Sequence, residues 1–210
     1  MASAAAVERL NRFPFWFLRH GETDWNAQGL SQGSTDIPLN AVGLAQARRA
    51  AKTLVGIGGI ATIVASPLVR ARVTAEIAGE ALGLPVALDA GLQEVSFGEQ
   101  EGKPMGDWYD DWIAGHYTPE GAEPFAALLA RAVAAVNRAT AMPAPVLVVA
   151  HGALFRALRL AFGHEPNVRT PNALPIHCAP PAGGDVWKVT PAALAPEGAP
   201  EGAPEGAPPG

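Results

Sequence analysis

Two histidines, two arginines and one glutamate carry the residue types and positions from which covalent chemistry could be built. The stretch "FWFLRHGETDWN" drives an apolar run into Arg19, His20 and Gly21, and "VLVVAHG" likewise ends on His151 and Gly152. Arg70 lies in "SPLVRARVTAE" after a further apolar run, and Glu94 follows "LDAGLQ" in a loop-like setting. Guanidinium groups stay charged at every relevant pH and match a tetrahedral oxyanion in bidentate fashion. An imidazole with a pKa of about 6.5 is roughly three-quarters neutral at pH 7, so it can act as a nucleophile without an activating base. A carboxyl group can protonate a departing oxygen and later deprotonate water. Together these groups would suit transfer of a tetrahedral anion, in which positioning and charge stabilisation carry most of the catalysis. Taken singly, each has a plainer reading: a packed histidine, a solvated helical arginine, a surface carboxylate.

The elements that must position these groups follow from the apolar pattern. "FPFWFL", "IATIVAS", "PVALD" and "PVLVVAHG" are short and apolar or β-branched, which predicts strands. Between them, "NAVGLAQARRAAKTLVGIG" and "PLVRARVTAEIAGEALG", the segment from about Pro124 to Thr140, and "ALFRALRLAFG" carry helical spacing. Pro67 is expected in the first turn of its helix, and the glycines of "GIGG" are expected to close a helix rather than open a nucleotide loop. "LPIHCAPPAGGDVWKVT" reads as two strands joined by a Pro/Gly turn. This alternation predicts an α/β fold, a three-layer α/β/α sandwich whose mostly parallel central sheet ends in an antiparallel edge. In such sheets ligands collect at the carboxyl ends of strands, where His20 and His151 fall.

A length of 210 residues, about half of them hydrophobic, suits one domain over 1–192. Residues 193–210, dominated by "APEGAPEGAPEGAPPG", hold no large apolar side chain beyond Leu194 and are expected to form a disordered tail. A net charge of −5 provides no positive field for nucleic acid or an anionic membrane. Cys178 is the only cysteine, which excludes an intramolecular disulfide and a cysteine metal cluster. No apolar run reaches the roughly 20 residues of a membrane span, and the N-terminus lacks a basic n-region, so a cytoplasmic protein is expected. No His-x-x-x-His pair or carboxylate cluster has metal-ligand spacing, so neither a metal nor another cofactor is expected.

In that order, "LRHGETDWN", "SPLVRARVTAE", "LQEVSFGEQEG" and "VVAHG" resemble the histidine phosphatase superfamily, its phosphoglycerate-mutase-like branch, from about Phe15 to Val189. The resemblance implies that His20 attacks phosphorus and becomes a phosphohistidine. Arg19, Arg70 and His151 would hold the phosphoryl oxygens, and Glu94 would serve the leaving oxygen as acid. Asn26, Gln32, Gly33 and Gly152 match positions at the phosphate pocket. The partner implied is a small phosphorylated metabolite, taken by a monomer or a homodimer.

The same family contains mutases, in which a longer insertion covers the site. Here the insertion, about 94–125, is short and offers Lys103 against Glu99, Glu101, Asp107, Asp110, Asp111, Glu120 and Glu123. If that segment borders the entrance it disfavours polyanions, and a neutral group beyond the phosphate is expected, unless Arg131, Arg156 or Arg169 folds back into the pocket. Trp108, Tyr109 and Trp112 would either stack on such a group or pin the insertion to the body. The chain departs from the family at "PEGAEPF", where relatives often read Gly-Glu-Ser, and at "NALPIHC" after Asn172. A phosphatase is therefore expected, with a mutase or a catalytically vestigial phospho-ligand-binding module as alternatives.

Overall fold

The computed structural model describes residues 9–196. Six strands form one sheet: β1 (Phe15–Arg19), β2 (Thr62–Ala65), β3 (Val86–Leu88), β4 (Val146–Ala150), β5 (Pro175–Ala179) and β6 (Lys188–Pro191). Their spatial order is β3-β2-β4-β1-β5-β6. The first four are parallel, whereas β5 runs antiparallel to β1 and β6 antiparallel to β5, so the C-terminal hairpin supplies the antiparallel edge.

Both faces of the central strands are buried, which is why they read as continuous apolar runs rather than alternating ones. Phe15, Phe17, Val146, Val148 and Ala150 face one core, with α5 (Phe125–Thr140) and α6 (Gly152–Ala161). Leu18, Ile63, Ala65, Leu147 and Val149 face the other, with α2 (Ala41–Ile57) and α3 (Val69–Leu82). Two short helices, α1 (Asp24–Ala27) and α4 (Trp108–Ala114), lie in the connections.

Local chemistry sets the helix ends. Asn40 Oδ1 accepts from the Gly43 N–H at 2.8 Å and so starts α2, which ends at Gly58 with φ +72°. Thr23 and Asn26 form a reciprocal capping box on α1, an element the apolar pattern did not foreshadow because four residues carry no period. Pro67 lies before α3 instead of in its first turn; the helix begins at Val69. The chain after β1 is held close to α2 because both contact points are glycine: a Cβ on Gly43 would stand 2.0 Å from the Glu22 carbonyl oxygen.

The insertion is pinned by aromatic contacts. Phe97 lies 5.4, 5.8 and 5.3 Å from the ring centroids of Trp108, Tyr109 and Trp112, and Trp112 lies 5.1 Å from Phe125. Trp112 is wholly buried, and its Nε1–H donates to the Glu123 carbonyl at 2.9 Å. The tryptophans therefore fasten the insertion to the body. The expected C-terminal tail lies outside the described residues from residue 197 onward. Before that point, Ala195 accepts from Arg49 Nε at 2.7 Å and donates to Thr53 Oγ1 at 2.9 Å.

Candidate active site

The parallel order β2-β4-β1 places three strand ends side by side. His20 N–H donates to the Ala150 carbonyl at 3.0 Å and Ser66 N–H to the Val149 carbonyl at 3.0 Å, so the ladder runs one residue past each strand. His20, His151 and Ser66 consequently stand in a row at the carboxyl edge of the sheet. The imidazole centroids of His20 and His151 are 5.3 Å apart.

His20 is buried, and its Nδ1–H donates to the Gly21 carbonyl at 2.6 Å, which leaves the Nε2 lone pair available. Burial first, then Arg19 and Arg70, hold its pKa well below the ordinary 6.5, so it is neutral. His151 is also neutral, through burial and then Arg70, His20 and Arg19. Ser66 Oγ accepts from the Leu68 N–H at 3.3 Å and lies 2.7 Å from His151 Nε2. This contact fixes the orientation of the His151 ring; a Ser66 hydroxyl proton directed at Nε2 would leave the ring proton on Nδ1.

Arg70 enters from α3, with its side chain fully buried. Its Nη1 and Nη2 donate to the carbonyls of Thr35 and Gly33 at 2.9 and 2.7 Å. Arg19 Nη1 donates to the Thr170 carbonyl at 2.6 Å. Burial pulls the Arg19 guanidinium down to about 10 and lowers that of Arg70, yet both remain charged near neutrality. Among the described residues, four buried side-chain nitrogens lack a hydrogen-bond partner: Arg19 Nε, Arg70 Nε, His151 Nδ1 and, outside this site, Trp108 Nε1. The two guanidinium nitrogens are orphan donors in one pocket, which is costly unless an acceptor joins them.

Arg19, His20, Asn26, Gln32, Gly33, Arg70, Glu94 and Gly152 all line one pocket of about 510 Å³. Asn26 Oδ1 accepts from Asn172 Nδ2 at 3.2 Å, and Gln32 Oε1 accepts from the Thr23 hydroxyl at 2.9 Å. A Cβ on Gly152 would stand 3.3 Å from Arg19 Nε, so glycine there permits the close approach. Glu94 binds the N-terminus of α6: its oxygens accept from the Ala153 and Leu154 N–H groups at 2.9 and 3.0 Å. A larger cleft of about 810 Å³, between α2 and the β5-β6 hairpin, is bordered by Trp16, Lys52 and His177 and is remote from these groups. Among the described residues no cluster of three His, Cys, Asp or Glu could hold a metal ion.

The acidic insertion does not face the pocket. Glu99, Asp107, Asp110, Asp111 and Glu120 are exposed, because α4 buries Tyr109 and Trp112 and turns its acidic positions outward. Glu123 is held by Arg131 through bonds of 3.0 and 2.6 Å. Arg156 and Arg169 line the pocket instead, so the condition for disfavouring polyanions is not met and the alternative of folded-back arginines holds for these two.

Four supporting residues were not singled out from the sequence. Ser66 could have been found by the rule that located His20 and His151, since it directly follows a buried strand. Thr74, whose Oγ1 accepts from the Gly21 N–H at 3.1 Å and donates to the Arg70 carbonyl at 2.7 Å, gave no such signal. Asn172 donates to the His20 carbonyl at 3.0 Å. Glu101 accepts from Ser34 N–H and hydroxyl, each at 2.9 Å, from Thr35 N–H and Phe97 N–H, each at 3.0 Å, and from the Thr35 hydroxyl. It thereby braces the loop whose carbonyls hold Arg70.

A doubly covered α/β sheet presenting two neutral imidazoles and two buried guanidiniums at its carboxyl edge defines the histidine phosphatase class of fold. Residues 15–177 match the histidine phosphatase superfamily (branch 1), and the chain belongs to that family. It is 42% identical over 157 residues to the uncharacterized phosphatase PhoE of Bacillus subtilis, covering 73% of this chain and 79% of that one. It is 38% identical over 165 residues to the probable phosphoglycerate mutase GpmB of Yersinia enterocolitica, covering 72% and 76%. Among solved structures, the mycobacterial glucosyl-3-phosphoglycerate phosphatase in complex with VO3 superposes with a TM-score of 0.73 at 29% identity, covering 84% of this chain and 96% of that one. No described helix is long and apolar enough to cross a membrane.

Proposed function

We propose that this chain hydrolyses small phosphomonoesters through a phosphohistidine on His20, using only groups of its own. The observation that carries this reading is the placing of two buried, unpartnered guanidinium donors, Arg19 Nε and Arg70 Nε, in one pocket with a neutral imidazole. A phosphoryl group supplies the acceptors these donors lack. His20 Nε2 attacks phosphorus in line, and the ester P–O bond breaks as Glu94 gives a proton to the departing oxygen. Arg19, Arg70 and His151 neutralise charge on the equatorial oxygens, while Asn26, Gln32 and the Gly33 and Gly152 backbone border the group. Glu94 then takes a proton from water as the water oxygen attacks the phosphoimidazole, which releases inorganic phosphate and restores His20 and the acid.

The test is a rapid acid-free quench of the enzyme with ³²P-labelled nitrophenyl phosphate. The label should appear on His20 and decay at the rate of turnover, and His20→Ala should lose both label and turnover. Turnover persisting in His20→Ala would overturn the covalent route.

The kinship to GpmB favours a mutase as the second reading. Incubation with 3-phosphoglycerate and 2,3-bisphosphoglycerate decides: rapid formation of 2-phosphoglycerate with little free phosphate would replace hydrolysis by mutase chemistry.

A further inference from the structure

The larger cleft of about 810 Å³ holds aromatic and charged groups that phosphoryl transfer at His20 does not use. Its floor follows from strand register. Trp16 on β1 pairs with His177 on β5, and His177 pairs with Thr190 on β6, so the three side chains share one face of the sheet. Trp16 and His177 are half-buried there, with ring centroids 4.8 Å apart. Burial first, then Lys188, holds the His177 pKa below 6.5, so the ring is neutral at pH 7 and lies beside the indole as a second uncharged plate.

The walls supply the charge. α2 contributes Lys52 and Ile57 on one side, and the hairpin contributes Lys188 on the other. Neither ammonium makes an ion pair or a hydrogen bond among the described residues. No carboxylate lines the cleft, although the chain as a whole carries a net charge of −5. Its volume falls within the roughly 300–1,000 Å³ of small-molecule pockets. Solvated lysines alone would make no site; here they share a cavity with two ring faces, against which a flat ring makes the most contact.

We infer that this cleft binds a flat aromatic anion, its ring against Trp16 and His177 and its carboxylate or phosphate group between Lys52 and Lys188. Such a site uses none of the groups assigned to phosphoryl transfer.

The test is a titration of the full-length chain, its His20 pocket filled with excess vanadate, followed through backbone amide and indole N–H resonances. The probes are 2-naphthoate, 2-naphthylphosphonate and neutral 2-naphthylmethanol, together with the saturated decalin analogue of whichever anion binds more tightly. At least one anion should move the Trp16 indole N–H and the Lys52 and Thr190 amides saturably. It should bind about fivefold or more tightly than the alcohol, the scale of two exposed ion pairs, and more tightly than its saturated analogue. The tighter anion identifies the charged group as carboxylate or phosphate. Added salt should weaken the anion and spare the alcohol. Lys52→Gln and Lys188→Gln should each weaken it about two- to threefold, and the double variant should erase the preference over the alcohol, with unchanged thermal midpoints reporting that the variants are folded. Equal affinity for anion and alcohol, a saturated analogue bound as tightly, affinity untouched in the folded double variant, or shifts confined to the His20 pocket would each overturn the site. Two further outcomes would overturn it in favour of another occupant. Probe binding that appears only with Glu197→Gln, Glu201→Gln and Glu205→Gln would give the cleft to the C-terminal residues of the same chain, and the same shifts on concentrating the free protein would give it to a second copy.

Discussion

Glu94 Oε2 accepts the Ala153 N–H at 2.9 Å, so the carboxyl assigned to proton transfer is also the N-terminal cap of α6. His151, at the N-cap position, provides no side-chain cap of its own. One residue thus ties the loop after β3 to the helix that begins at the site.

Two substitutions separate these roles. Glu94→Gln retains a carbonyl acceptor for the helix but cannot transfer the proton. It should slow alkyl phosphates by about 10²- to 10⁴-fold and nitrophenyl phosphate far less, because a good leaving group departs without an acid. Glu94→Ala should also lose about 1 kcal/mol of stability, the usual cost of a missing cap, measured by urea denaturation. Equal rate losses on both substrates in Glu94→Gln would remove the acid role.

The two buried imidazoles set a pH dependence. Both folded pKa values lie below the ordinary 6.5. As pH falls below that value the unfolded chain binds protons first, so stability present above about pH 6.5 is lost progressively toward the folded pKa values. In phosphate-free buffer the thermal midpoint should therefore fall on going from about pH 7.5 to about pH 5, and neither ring's Cε1–H resonance should titrate near pH 6.5. A His20 resonance that titrates with an unshifted midpoint would contradict a neutral nucleophile held by burial and arginines.

Glu101 should matter although it lies outside the pocket wall. Burial alone would raise its carboxyl, but the bonds from Thr35, Ser34 and Phe97 outweigh that effect and hold it below the ordinary carboxylate range. Glu101→Gln should loosen the Gly33–Thr35 loop and with it Arg70, raising KM for every phosphomonoester about tenfold or more. The stabilisation it provides is present above the unfolded carboxylate pKa of about 4.3 and is lost as pH falls through the depressed folded value. The thermal midpoints of wild type and Glu101→Gln should accordingly converge in acid; a constant gap down to about pH 3 would contradict the assignment.

Arg70→Lys keeps the charge but cannot span the Gly33 and Thr35 carbonyls while presenting Nε to a ligand. We expect kcat/KM to fall by about 10² or more, with a vanadate inhibition constant raised in parallel. Wild-type inhibition by vanadate in this variant would show that Arg70 does not hold the anion.

Much of the fold was legible because its information is local. "FWFLRH" and "VLVVAH" show strands buried on both faces, and their terminal histidines fall at a sheet edge by the chain direction alone. The helices of 41–57 and 69–82 follow from apolar spacing and glycine ends, and that of 125–140 from apolar spacing alone, to within a few residues. The stretch that misled did so for a tertiary reason. The acidic residues of the insertion looked like a pocket rim by sequence proximity to Glu94, but burial of Tyr109 and Trp112 turns them to solvent. The supporting groups Thr74, Glu101 and Asn172 are ordinary polar residues whose bonds to Gly21, Ser34 and His20 span 53 to 152 positions, beyond the reach of any local pattern.

The amino-acid order by itself thus determined which chemical groups exist and which strand ends present them, since side-chain type and periodicity are properties of short segments. Only the folded chain decided how many cations share one cleft. Insertion of β4 between β2 and β1 joins residues some 130 positions apart, and α6 and the Arg169 loop then swing two further guanidiniums toward Arg19. Charge convergence of that kind is set by long-range strand pairing and helix docking, for which the sequence carries no local signature.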